Sequence, residues 1–566
     1  MSLRGRAALR GIIAVLIAAG LSRSATAQVI RGTVSDSASR QPISGAVVML
    51  LDSPAGTVLA RDITSEAGEY RVAPSRGARS LRVVRIGFQP LELSLADGAA
   101  TDRPLDIAMV RFTPTLATIH VTDKSSGCPQ SADRAAGFAF WEQARAALLN
   151  SIIARKANPM SVHRLYFTRA LSAEKGSITS FVVSEDFSES AKTSFTSLRS
   201  PGDLVRKGFA GDPGVVGFMF GPDEDMFADD AFAAGYCFRV AKPDTTRPTQ
   251  VGVAFSAPDF RKGRVDIDGT LWIDTVARAL HDVEFRYVGM PQLAEQFHPG
   301  GTISFATGAN GVVFIDRWSL RLIGNAPYPV YSPNCRAGCA MHDSFFPSEN
   351  GAEVSHVTWR DGRRSDARLG TLSIRAVTSA GRPAAGTVIE LPNSPYHGKT
   401  DAAGAVRIAD LLPGPYVLSV RDPRLTELGL LLPTSISFIA ARDSVIQLSL
   451  DVPTVEDFVV NVCRKHRQWT ATDSTYLVGR IVDGGKNPVA DARVTFAVQN
   501  SKGGWDWDKT TLKTEADGVF AACGTTLTPG AKLQVRVERD RSWPRTVTRD
   551  IKDKMTIVPI RIDTKP

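Results

Sequence analysis

The feature that most constrains this chain is a block of sequence that occurs three times. Residues 30–72 read I-R-G-T-V-S-D, then Q-P-I-S-G-A-V-V, then T-S-E-A-G-E-Y-R-V. Residues 478–520 read V-G-R-I-V-D, then N-P-V-A-D-A-R-V, then T-E-A-D-G-V-F. Residues 372–408 hold a worn copy, with L-S-I-R-A-V, R-P-A-A-G-T-V and T-D-A-A-G-A-V-R-I. Each copy reads as short alternating strands joined by a Pro-containing turn, followed by an acidic-plus-Gly turn and another strand. A block that recurs at this length is one supersecondary unit used repeatedly. Much of the chain is therefore predicted to be a string of small β-sandwiches.

The N-terminus carries Arg4, Arg6 and Arg10, an apolar run from Gly11 to Leu21, and the small-x-small triplet Ala25-Thr26-Ala27. This order predicts a signal peptide over 1–27 and a mature chain starting at Gln28. The alternative is an uncleaved anchor, for which the apolar run is short. No later stretch approaches the roughly 20 apolar residues of a membrane helix, so no transmembrane segment is expected in the mature chain. The formal charge is +9, and the four arginines of residues 1–27 account for the difference from a mature +5. Both signs are mixed throughout, which excludes a nucleic-acid footprint. The expected location is outside the cytoplasm: periplasm, outer-membrane-associated or extracellular.

The pattern G-x-[VI]-x-D, then P-x-x-[GD]-A-x-V, then T-[SE]-x-x-G resembles the carboxypeptidase regulatory-like domain, a transthyretin-like β-sandwich. Ile86-Gly87-Phe88 fits that family's later apolar-Gly-aromatic signature. The resemblance holds for the first and last modules and fades in the middle one, which lacks the leading Gly and Asp. It implies a fold and no chemistry, since every matching residue has a structural task. Such domains also precede the plug of outer-membrane TonB-dependent receptors. Leu116–Thr122 looks like the short strand that leads to the plug there, and Phe458–Val462 repeats the theme; a plain extended linker is the alternative.

The organisation expected is a signal peptide (1–27), a sandwich at 28–112, a central domain at 128–365, a degenerate sandwich at 366–452 and a last sandwich at 474–566. In fold class this is mainly β: several Ig- or transthyretin-like β-sandwich modules plus a central α+β domain. In the central domain Phe138, Trp141, Ala144, Leu148 and Ile152 recur at helical spacing between Ser131 and Lys156. Amphipathic strands follow, the clearest being Gly269–Asp274 and Leu280–Tyr287. A helix packed on a curved antiparallel sheet is predicted, somewhat like the half-barrel of periplasmic lipoprotein carriers.

Six cysteines in an exported chain permit disulfides. Position suggests Cys463 with Cys523, Cys335 with Cys339 in a small ring, and Cys128 with Cys237. Cys335-x-x-x-Cys339 near His342 could instead hold zinc, although a fourth ligand is not apparent beyond His356.

Catalytic motifs are scarce. His281-Asp282-Val283-Glu284 has the H-x-x-E spacing of zinc carboxypeptidases, but on a strand i and i+3 point to opposite faces. A histidine beside the core is the expected reading. Gly398-Lys399-Thr400 resembles the end of a phosphate loop whose first Gly is replaced by Asn393. Thr400 also opens a sandwich turn. The acidic stretches Asp223–Asp230 and Asp266–Asp268 could collect oxygens around calcium, or be a charged loop and a strand end. Phe218, Met219, Phe220, Met226 and Phe227 could cap a cavity or fill a core. Arg464-Lys465-His466-Arg467 reads as a solvated basic face. Trp505 and Trp507 flank Asp506 and could stack on sugar rings or a partner, or pack on an edge strand.

No catalytic, cofactor-binding or metal site is expected. The function anticipated is binding or scaffolding in the bacterial envelope, with an envelope protein or a glycan or lipid ligand as partner and no nucleic acid. Two alternatives stand beside it. One is a carbohydrate-binding surface protein using Trp505 and Trp507. The other is an accessory or cryptic hydrolase, to which His163, His281 and Asp274 converging in the central domain would point.

Overall fold

The structure is a computed structural model. It describes residues 29–562 apart from 55, 74, 96–102, 112–127, 129–131, 158–159, 190–196, 198, 211–218, 259–263, 291, 309–311, 330–340, 380, 431–433, 466–474, 524–526, 528, 540–543 and 552–554. The proposed signal peptide, Leu116–Thr122 and the Cys335/Cys339 ring lie outside the described residues. Two compact units form. The first comprises the described residues up to Ser177 together with Asp186–Ala367, and the second comprises Ile178–Glu185 with the residues from Arg368 on.

In the first unit the repeat at residues 30–72 nucleates a sandwich. Ile30–Asp36 pairs antiparallel with Glu69–Val72 and parallel with Ile107–Met109. The opposing sheet runs Val58–Ile63, Val47–Leu51, Ser80–Val84, Leu91–Ser94. Val34, Val48, Leu50, Tyr70, Leu81 and Val83 fill the space between the sheets. Val47-Val48-Met49-Leu50-Leu51 is an unbroken apolar run, and all five residues are buried. A strand of that kind is covered on both faces. Val48 and Leu50 look into the sandwich, while Val47, Met49 and Leu51 enter a second core.

That second core is built round the long helix Ala132–Ala157. Trp141, Ala144, Leu148 and Leu149 meet Phe232, Phe238, Phe255, Leu271 and Val283 of the central domain in one continuous cluster with Val47, Met49, Leu51, Val84 and Ile86. The central sheet is antiparallel. Its path runs Cys237–Val240, Gln250–Ser256, Asp266–Asp274, Ala279–Val288, Gly300–Thr307, Val313–Pro329, Met341–Trp359, Met160–Leu171. Inward residues alternate with polar outward ones along it, and the helix fills the inner side.

The helix carries polar residues into this apolar setting, and the first sandwich satisfies them. Gln143 accepts from the Gly87 N–H at 2.8 Å and donates to the Phe88 carbonyl at 2.7 Å. Asn150 donates to the Gly45 carbonyl at 2.6 Å. Glu142 pairs with Arg82. The apolar-Gly-aromatic signature at 86–88 is thus a docking point for the helix. Gly87 has φ +84°, a conformation that side chains resist.

In the second unit two further sandwiches repeat the same plan. Gly370–Thr378 lies between Ala405–Leu411 and, in parallel, Val445–Val452; the facing sheet runs His397–Lys399, Val388–Glu390, Gly414–Arg421, Thr434–Ala440. Tyr476–Val482 lies between Val519–Cys523 and, in parallel, Met555–Arg561; the facing sheet runs Trp505–Trp507, Arg493–Gln499, Lys532–Glu538, Arg545–Asp550. The worn middle copy is a full member of the set.

One expectation needs correction here. Phe458–Val462 is neither a strand nor an extended linker but part of a helix, Val455–Lys465. The Thr454 hydroxyl and Asp457 carboxylate form a reciprocal cap: the Thr454 N–H donates to Asp457 at 2.9 Å and the Asp457 N–H to Thr454 Oγ1 at 3.3 Å. Val455, Val459 and Cys463, spaced four apart, are fully buried against Leu425, Leu428, Val478 and Val519. Arg464 and Lys465 close this helix. No helix among the described residues is long and apolar enough to cross a membrane.

Candidate functional site

The most exposed aromatic group that the sequence marked sits on the last sandwich. Arg493–Gln499 turns at Asn500–Gly504 into Trp505–Trp507. Asn500 fixes the turn: its side chain accepts from the Gly504 N–H at 2.9 Å and donates to Asp506 at 2.9 Å. Gly503 has φ +81°. Trp507 pairs with Ala497 and Trp505 with Gln499, so both indoles stand on the outer face of the sheet, opposite the Phe496 core side. Trp507 is 45% exposed and Trp505 half-buried. The same face continues through Gln534 and Thr548 in the row of Trp507, and through Thr495, Arg536 and Thr546 in the next. Ala497 is the direct neighbour of Trp507, and Gln534 and Thr548 follow two and three strands along the row.

The H-x-x-E pair falls on a bulge of the central sheet. Trp272 pairs with Asp282 and Ile273 with Leu280, leaving His281 as the extra residue of a bulge. His281 is therefore exposed rather than beside the core, which corrects the expectation from simple alternation. Its Nδ1 lies 2.8 Å from Asp282. Arg247 binds both oxygens of Asp282 at 2.9–3.0 Å, pairs with Glu284 and lies over Trp272 at 4.7 Å. The acids here serve an arginine.

The acidic stretches have structural duties as well. Asp223 caps the helix Glu224–Ala228 and also accepts from the Ser197 N–H at 3.1 Å; Asp229 caps Asp230–Gly235. Asp266 accepts from the Tyr236 hydroxyl at 3.0 Å and from Arg264 at 2.8 Å. Burial, then the Asp266 charge, pushes the Tyr236 phenol well up. Asp268 is held by both arms of Arg286 at 2.6 and 2.8 Å. Among the described residues no group of three or more His, Cys, Asp or Glu could hold a metal ion. Thr400 bonds the Thr387 N–H and the Ala384 carbonyl, so Gly398-Lys399-Thr400 belongs to the sandwich turn. Met226 and Phe227 are core residues, Met219 and Phe220 pack against that core, and Phe218 lies outside the described residues.

His163, His281 and Asp274 do not converge. Asp274 sits at the turn before His281, its carboxyl lowered first by the Ala277 N–H, while His163 stands on Met160–Leu171, farther along the sheet. A different cluster forms there that the sequence did not disclose. A bulge on Met341–Trp359 places His356 opposite His163 and turns Ser355 between them. Ser355 Oγ lies 2.5 Å from His163 Nδ1 and 3.2 Å from His356 Nδ1, and Phe187 stacks on His163. Ser355 is 2% exposed, and its hydroxyl ties the two strands together. Only the bulge creates the cluster, and no residue pattern announces that bulge.

On the outer face of the central sheet an open cleft of 340 Å³ is lined by Arg239, Ser256, Asp268, Thr270, Glu284 and Arg286. It is polar, and its acids are already paired to Arg286 and Arg247.

Cys128 joins Cys237, with Cα atoms 5.7 Å apart, and Cys463 joins Cys523 at 5.9 Å. Residues 29–110 match the family model of the carboxypeptidase regulatory-like domain. The other two sandwiches share the strand order of this carboxypeptidase regulatory-like domain. No curated protein matches the chain. Solved structures that resemble parts of it include the TIE protein of Bacillus anthracis (12% identity, TM-score 0.16), of whose length 63% is spanned by 61% of this chain. A streptococcal ancillary pilin is 11% identical over 47% of this chain and 81% of that one, with a TM-score of 0.17. BcpA, the major pilin subunit of Bacillus cereus, is 10% identical over 75% and 98%, with a TM-score of 0.13. At these scores none of the three is a whole-chain counterpart.

Proposed function

We propose that this chain is an exported, non-catalytic envelope protein that works as a binding scaffold. The observation that carries the reading is the long helix. It is buried against the outer face of the carboxypeptidase regulatory-like domain and against the central sheet at once. The domain therefore shares a core with its neighbour instead of hanging from a tether, which suits a part that must hold surfaces in fixed relation. Disulfides persist in oxidising compartments, and the two bridges support export. The N-terminal order of basic, apolar and small residues supports it too.

The test is expression of the whole chain in a Gram-negative host, followed by fractionation, N-terminal mass analysis and crosslinking in intact envelopes. The expected product begins at Gln28, lies outside the cytoplasm, carries both bridges and crosslinks reproducibly to envelope components. Cytoplasmic material with intact Met1 and free thiols would overturn the export reading. Turnover across a panel of ester, peptide and glycoside substrates would overturn the non-catalytic one.

A further inference from the structure

We infer that the outer face of the last sandwich is a saccharide-binding platform centred on Trp507. The argument starts from a comparison that the three repeats allow. Val48, Ile389 and Val494 are equivalent, fully or almost fully buried residues in the second strand of each repeat. Two residues apart, their flanking neighbours point to the opposite face of the sheet. In the first sandwich that face carries Val47, Met49 and Leu51, and it is occupied by the long helix. It is thus a face this module uses for docking. In the last sandwich the same positions are Arg493, Thr495 and Ala497, and the adjoining hairpin adds Trp505 and Trp507. An apolar helix has nothing to bury there.

What the face does offer is an exposed flat indole beside unengaged neutral polar groups. Gln534 and Thr548 lie in the row of Trp507, and Thr495 and Thr546 lie in the next row. These side chains make no hydrogen bond with the rest of the described protein. Arg493 pairs across the sheet with Glu538, and Arg536 with Glu538 at 3.1 Å, so the charges of the face are mixed. That mixture does not suit a polyanion. A pyranose ring has an apolar C–H face and a rim of hydroxyls. The indole matches the first; the Gln534 amide and Thr548 hydroxyl, two and three strands farther along the same row, match the second for a chain of several sugar rings. The turn built by Asn500 and Gly503 holds the hairpin in place without help from a ligand, so little ordering is required on binding.

This inference is independent of the export reading, and localisation does not bear on its test. The full mature chain is run in native gels containing hydroxyethylcellulose, xylan, soluble starch, galactomannan or chitosan, with a polysaccharide-free gel as reference. At least one polysaccharide should retard the protein. Trp507→Ala should weaken that retardation about tenfold, as expected for loss of one aromatic stacking surface. Trp507→Phe should retain part of it. Gln534→Ala and Thr548→Ala should each weaken it a few-fold. Circular dichroism and melting temperature, unchanged in all variants, separate lost binding from lost folding. The inference is overturned if none of the five polysaccharides retards the chain. It is equally overturned if retardation persists undiminished in Trp507→Ala, because the sugar would then sit elsewhere.

Discussion

The threonine that opens the third segment of every repeat holds two backbone groups at once. Thr64 Oγ1 accepts from the Ala46 N–H at 2.8 Å and donates to the Ile43 carbonyl at 2.6 Å. Thr400 does the same for Thr387 and Ala384, and Thr514 for Ala492 and Val489. Four residues on, Gly68, Gly404 and Gly518 share φ values of +75°, +74° and +76°. The T-x-x-x-G signature is therefore a clamp, which explains why it survives in the worn copy where the leading Gly and Asp do not. Thr514→Ala should strand two buried backbone groups and cost about 1–3 kcal/mol for each left unsatisfied, while Thr514→Ser should cost clearly less. Urea denaturation followed by near-ultraviolet dichroism distinguishes them. Asp36 gives a pH dependence. The Ala38 N–H, with Arg111 and Ser39 behind it, holds its carboxyl at about 2, against the opposing effect of burial. A carboxyl lowered on folding adds stability above its unfolded value of about 3.9, and that stability is lost as pH falls through the folded value. The first unit should thus lose stability between about pH 4 and pH 2. Asp36→Asn should flatten the loss in that window, and equal slopes for both proteins would refute the assignment.

At the scale of elements, the sequence revealed the sandwiches and the long helix but only half of what the helix does. Phe138, Trp141, Ala144 and Leu148 mark one apolar face, and that face was legible. The other face is legible only once Gln143 and Asn150 are seen to meet Gly87, Phe88 and Gly45, because polar residues normally signal solvent. The connector helix was missed because Phe458–Val462 is a dense apolar run. Thr454-x-x-Asp457 and the four-residue spacing of Val455, Val459 and Cys463 were the signals present. His281 was misplaced because one inserted residue reverses strand alternation. The candidate platform was half legible: the Trp505–Trp507 pair shows in the sequence, whereas Gln534 and Thr548 arrive only through strand register. A prediction belongs to the helix. Gln143→Ala should leave the Gly87 N–H and Phe88 carbonyl unsatisfied and lower stability by about 1–3 kcal/mol for each group. Hydrogen exchange at the Gly87 amide should accelerate, while the Val34 amide, held by Gly68 inside the sandwich, should keep its protection. Equal acceleration at both would mean that the sandwich itself had loosened.

At the scale of the molecule, the two bridges among the described residues act on long stretches of chain. Cys128–Cys237 closes 109 residues around the long helix, and Cys463–Cys523 closes 60 around the start of the last sandwich. The second bridge joins a helix that is already packed, since Cys463 itself is fully buried with Val459 and Val519. Two contributions can therefore be separated. Loop closure over this length restricts the unfolded chain by roughly 4 kcal/mol in the chain-entropy view, and engineered cases often give less. Replacing the buried sulfur by a hydroxyl adds the cost of an unsatisfied polar group. Cys523→Ser leaves Cys463 in the core and reports mainly on closure. Cys463→Ser reports on closure and burial together, so it should be the more destabilised of the two in chemical denaturation. The double substitution should be no worse than Cys463→Ser alone, because the bridge can be lost only once. If all three variants unfold at the native midpoint, the packed helix alone holds the connector and the bridge carries no stability. If Cys523→Ser exceeds Cys463→Ser, the buried-sulfur argument is wrong.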